Sequence, residues 1–189
     1  MKVRLKYADL VKISSTTNVI SKVYACNNIF KPDVNAAGHQ PMYHDEYEKV
    51  YDQYQVISSK ITVKYNGGSG AGTNEPIVGL NKDNSVAGAA SLLALMEQSQ
   101  GQFKLLQGSD SGTQVTLSST FSAKKDMEVD IPDKEYAATV GTAPTANNLF
   151  FWNIWLYGND AITATQVACT VEIEFYVLYS KLKEQLATN

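Results

Sequence analysis

The chain has 189 residues, 44% of them hydrophobic, with a formal net charge of -3, enough to bury one substantial core, so a single domain over residues 1–189 is expected. Arg4 is the only arginine among 16 basic residues, which is not the footprint of a free-standing nucleic-acid-binding domain. No apolar run approaches the roughly 20 residues needed to span a bilayer, and the opening "MKVRLKYADL" lacks the apolar centre of a signal peptide, so synthesis inside a cell and no membrane partner are expected.

The chain opens on alternation. Val3 to Ser14 and Val19 to Cys26 read as strands, and Lys2, Arg4 and Lys6 interleave with Val3, Leu5 and Tyr7, so a strand here turns its positive charges one way and its core residues the other. In "GHQPMYHDEYEKVYDQYQVISSKITVKY" the period changes. Tyr43, Tyr47, Val50, Tyr51 and Tyr54 fall on one face of a helix, Pro41 suits a first helical position, and Asp45, Glu46 and Glu48 crowd the positive end of its dipole. From Tyr54 the period is two, with Ile57, Ser59, Ile61, Val63 and Tyr65 on one face and Val56, Ser58, Lys60, Thr62 and Lys64 on the other.

The stretch "NGGSGAGTN" suits a long surface loop within one domain better than a linker. It has no lysine after its glycines and no following helix, so it is not a phosphate cradle. Pro76 to Asn81 is the next strand. "SVAGAASLLALMEQ" is a second helix candidate with Ser85 as its cap, too short for a membrane and too apolar for open water. Further strands fall at Gln102 to Gln107, Gln114 to Phe121, Leu149 to Tyr157 and Thr165 to Tyr179. The last sets Val167, Cys169, Val171, Ile173, Phe175, Val177 and Tyr179 against Thr170, Glu172 and Glu174. Trp152 and Trp155 sit on opposite faces of their strand, one in the core and one on the sheet surface. Cys26 and Cys169 each lie in an apolar stretch and read as buried free thiols.

Chemistry is sparse. His39 and His44, five apart at a helix start, do not converge on one point, so no metal site and no cofactor are expected. No nucleophile elbow is visible and no histidine lies within a strand, so neither a serine hydrolase nor a metal-dependent cupin is supported, and the chain does not read as an enzyme. Eight strands with two helices in their connections suggest an all-β fold, a single eight-stranded antiparallel jelly roll of two four-stranded sheets. A carbohydrate-binding jelly roll is the alternative, and it would show tryptophans exposed on a concave face.

In order along the chain, "VRLKYADLVKIS", "VYACNNIFKPD", "GHQPMYHDEYEKVYDQYQVISSKITV", "VTLSSTFSAKKD", "NNLFFWNIWLYG" and "VACTVEIEFYVLYSKL" resemble the capsid proteins of circovirus-like viruses, whose small circular single-stranded DNA encodes a replication protein. The resemblance runs from about Val3 to Leu182. It implies sheets of strand order B-I-D-G and C-H-E-F, with the helices in the C-D and E-F connections, and a virion of identical subunits, most simply about sixty copies. Tyr43, Tyr47 and Tyr51 in C-D, and Leu92, Leu95 and Met96 in E-F, become candidates for contacts between neighbouring subunits; Tyr47 and Tyr51 suit equally well a role in covering their own sandwich. Lys2, Arg4 and Lys6 become the groups facing a genome. Family members generally carry an arginine-rich arm ahead of strand B, whereas strand B here begins almost at Met1, so this chain as written is expected to hold nucleic acid weakly.

Overall fold

Among the residues described by the computed structural model, 1–35, 39–67, 75–86, 91–106, 114–159 and 164–184, strands dominate. In chain order the elements are β1 (Lys2–Ser15), β2 (Val19–Ala25), α1 (His44–Glu48), β3 (Tyr51–Gly67), β4 (Ile77–Asp83), α2 (Leu92–Glu97), β5 (Gln102–Leu105), β6 (Gln114–Ser122), α3 (Ala123–Asp126), β7 (Ala138–Thr139), β8 (Phe151–Tyr157) and β9 (Thr165–Leu182). One sheet runs β1-β9-β3-β6, with the two-residue β7 beside β3, and the other runs β2-β8-β4-β5. Setting β7 aside and lettering the strands from B, these orders are B-I-D-G and C-H-E-F, the two sheets of a jelly roll. All neighbours pair antiparallel.

The core lies between the sheets. Leu5 and Tyr7 of β1, Ile61, Val63 and Tyr65 of β3, and Val171, Ile173 and Phe175 of β9 meet Tyr24, Val78, Leu80, Trp152, Ile154 and Leu156 of the second sheet. Each such side chain contributes about 1.5–3 kcal/mol by leaving water. The Tyr65 hydroxyl donates to the Gly79 carbonyl at 2.5 Å, a polar tie from one sheet to the other through an otherwise apolar layer. Cys26 and Cys169 are free and buried, as their apolar surroundings suggest.

Three local expectations are corrected. The tyrosine-faced helix is short: α1 holds only His44–Glu48, Tyr43 caps it in a left-handed conformation (φ 70°), and a turn closed by Val50 N–H to Tyr47 O at 3.1 Å separates it from β3. Five residues make a marginal helix. Tyr51 and Tyr54 pair with Leu182 and Tyr179 of β9 instead, so sheet pairing overrides the helical period.

The alternation in β3 also changes phase. A bulge between Val56 and Ser58 adds one residue, so Tyr54 and Val56 face the core before it and Ser59, Ile61, Val63 and Tyr65 after it. Val56 is therefore core and Ile57 only half-buried, the reverse of the even-period reading.

The second helix begins later than expected. Ser91, not Ser85, caps α2, its side chain accepting from Ala94 N–H at 3.3 Å. Positions 87–90 of the expected helix, 68–74 of the glycine-rich loop and 107 of the fifth strand lie outside the described residues.

Candidate assembly and nucleic-acid surfaces

The C-D connection places its tyrosines in two roles. Tyr47 stacks on Tyr179 with ring centroids 4.8 Å apart, and Tyr51 tilts against the same ring at 5.8 Å. Both are half-buried and cover the end of β9 in the same chain. Tyr43 does the opposite. It is 65% exposed, as are Met42 at 70% and Val50 at 46%, and its positive φ costs a non-glycine residue about 1–2 kcal/mol. Its carbonyl accepts from Tyr47 N–H at 3.3 Å, which starts α1, while its ring stays open.

In the E-F connection, Leu95 is 2% exposed and belongs to the interior, which removes it as a contact candidate. Its carbonyl accepts from Asn81 Nδ2 at 2.8 Å, and Asn81 Oδ1 accepts from Trp155 Nε1 at 2.8 Å, so α2 closes over the outer side of β8. Leu92 and Met96 are half-buried. The side chain that α2 does present is Leu93, 67% exposed, joined by Leu105 at 55% and Phe103 at 43% on the edge strand β5. The apolar run made Leu93 visible as a member, but only the helix phase, fixed by the Ser91 cap, separates it from Leu95.

The basic residues of β1 stand on the outer face of the β1-β9-β3-β6 sheet, where neighbouring strands supply acids. Arg4 bonds Glu174 and lies over the Tyr176 ring, 5.9 Å from its centre. Lys6 pairs with Glu172 at 2.8 Å, and Lys64 reaches the same carboxylate at 3.9 Å. The Lys6 ammonium, by hydrogen bond and charge, holds the Glu172 carboxyl below its ordinary 4.5. Lys2, Lys12 and Lys60 extend the face and form no ion pair among the described residues. The face is thus net positive in a chain of net charge -3, yet Arg4 and Lys6 are partly neutralised where they stand. Lys12, Lys60 and Lys64 belong to it through sheet register, which the sequence shows only once strand order is known.

The two histidines part company. His39 stacks on Tyr7 at 4.6 Å. His44 is 1% exposed; its Nδ1 faces the Tyr179 hydroxyl at 3.4 Å and its Nε2 has no hydrogen-bond partner. Burial pushes the imidazole below its ordinary 6.5, while Asp45 and Glu48 pull it up. One ligand atom from each of His44, Asp45 and Glu48 lies within 4.8 Å of the other two.

Both tryptophans are fully buried, Trp152 in the core and Trp155 beneath α2. They do sit on opposite faces of β8, but neither lines a sugar-binding face.

No protein-family model matches the chain, and no curated protein matches it by sequence. Solved structures do match by shape. The BFDV capsid protein in its 60-mer crystal form is similar at TM-score 0.52 and 10% identity, covering 100% of this chain and 97% of that one. The Cocksfoot mottle virus structure is similar at TM-score 0.51 and 11% identity, covering 94% and 96%. At such identities the likeness speaks for the fold: this chain is a jelly roll of the kind found in these two viruses.

Proposed function

We propose that this chain is the coat protein of a small icosahedral virus of the circovirus-like group, building a closed shell of about sixty copies around a circular single-stranded DNA genome. The observation that carries the reading is the pair of strand orders, β1-β9-β3-β6 and β2-β8-β4-β5, over nearly the whole described chain. The fold alone hosts many functions. What favours a shell is that exposed apolar side chains gather on two connections, Met42 and Tyr43 on C-D and Leu93 and Leu105 around E-F, although Leu10 and Leu182 are exposed elsewhere. Rigid aromatic and aliphatic anchors suit contacts between subunits because they bury area at small entropic cost.

The outer face of the β1-β9-β3-β6 sheet is the reading's genome side. Lys2, Arg4 and Lys6 contribute little net charge there because Glu172 and Glu174 answer two of them. With Lys12, Lys60 and Lys64 the face keeps a modest positive surplus, and each neutralised phosphate adds only one increment to a salt-sensitive sum, so nucleic acid is held weakly and without sequence preference. Sedimentation velocity at neutral pH tests assembly: one uniform, large particle is expected, and a monomer at high concentration contradicts it. Absorbance at 260 and 280 nm on those particles tests the cargo, a small nucleic-acid signal that high salt removes being the expected result.

A further inference from the structure

The His44 imidazole is the feature that the shell reading leaves unused. Buried polar atoms almost always find a hydrogen-bond partner, and an exception points to an unseen water or ion. His44 Nε2 is such an exception, and the side chain is 1% exposed. It does not stand alone. Glu48 lies four residues on and Asp45 one, so all three project from one turn of α1, where residues three and four apart are neighbours. Their ligand atoms lie within 4.8 Å of one another, and neither Asp45 nor Glu48 forms an ion pair among the described residues, the Lys49 ammonium being engaged by Glu46. His44 and Asp45 line the same open hollow.

We propose that His44 Nε2 and one carboxylate oxygen each from Asp45 and Glu48 form a binding site for one divalent ion of the zinc type. Three protein ligands on a tetrahedral ion leave the fourth position to water. Ligand atoms around zinc stand about 3.4 Å apart, so a pair at the 4.8 Å limit closes by about 1.4 Å. Asp45 is exposed and Glu48 half-exposed, and their tips are free to make that move. The imidazole selects the ion class: calcium and magnesium prefer oxygen ligands throughout, whereas nitrogen with carboxylate suits zinc and its neighbours. The far side of the ring fits as well. With Nε2 on the ion, Nδ1 carries the proton and donates to the Tyr179 hydroxyl, the outer hydrogen bond by which metal-bound histidines are commonly oriented. Tyr179 is the ring on which Tyr47 and Tyr51 pack, so the ion would brace α1 against β9 within one subunit. The inference does not depend on the shell reading.

The test is isothermal titration of zinc chloride into the full chain after chelator treatment at neutral pH, with magnesium chloride as the comparison. Replacing the buried His44 endangers the fold, so the two acids carry the test, with far-ultraviolet circular dichroism to verify folding. One saturable zinc site per chain is expected, weakened at least tenfold in both Glu48→Gln and Asp45→Asn, with zinc raising the melting temperature of the parent and not of the variants. No saturable zinc binding, or binding equally tight in both variants, overturns the site. Magnesium bound as tightly as zinc overturns the ion class.

Discussion

The central strands of the two sheets, β9 and β8, are both well paired and yet differ in what lies outside them. Strand β9 alternates strictly, every core-facing residue from Thr165 to Tyr179 buried and every intervening one at least partly open. Strand β8 is buried on both faces from Phe151 to Leu156. The difference lies in the connections. On the outer side of β8, Phe151 packs with Val34 and Leu149, and α2 closes over Trp155 through Asn81. Among the described residues nothing comparable covers the polar rows of β9, which lie between the lysines of β1 and β3. Among the described residues, one sheet is covered by its own chain and the other keeps a charged outer face.

Four perturbations break or sharpen this contrast. Alkali acts on the core that the two sheets share and should have the largest effect. Burial pushes the hydroxyls of Tyr7, Tyr24, Tyr54, Tyr65, Tyr136 and Tyr179 well above their ordinary 10.0. Above that pH the folded chain keeps protons that the unfolded chain releases, so stability is full below pH 10 and falls as pH rises beyond it. Denaturant midpoints taken across that range should drop steeply, and a flat profile would mean these rings are wetter than the structure has them.

The covered side should break next. A Cβ on Gly79 would overlap the Trp155 ring, so Gly79→Val should cost about 3 kcal/mol in chemical denaturation. A third contrast is smaller. Tyr43 is strained and exposed within its subunit, so Tyr43→Gly should change subunit stability by no more than about 1 kcal/mol, the relief of φ offsetting the entropy of glycine. Particle yield by size-exclusion chromatography should nevertheless fall.

The open face should respond least in stability. Glu172→Gln breaks a pair whose lysine side chain is 59% exposed, a change expected within about 1 kcal/mol. Joined with Glu174→Gln it frees Arg4 and Lys6, and the salt slope of binding to single-stranded DNA should steepen by about one to two. An unchanged slope would remove this face as the place where phosphate sits.

The same contrast shows what the sequence can and cannot tell. The alternation of β9 is legible because one face meets the core and one meets water, and the strand series was enough to name the jelly roll. Strand β8 offers no alternation to read, and Trp155 looked like a surface residue because its cover, Asn81 and α2, comes from distant parts of the chain. The tyrosine helix misled because Tyr51 and Tyr54 keep helical spacing while pairing with β9. The Val56/Ser58 bulge has no local signature in "QVISSK", and it is what turns Val56 inward. The spacing of His44 from His39, five residues away, gives no hint of its grouping with the acids one and four residues on.

Electron microscopy of the purified protein at neutral pH tests the central claim most directly. Uniform closed particles, with the β1-β9-β3-β6 face lining the interior and Met42, Tyr43 and Leu93 at contacts between subunits, are the predicted result. Isolated subunits, open filaments, or shells in which that sheet faces outwards would contradict it.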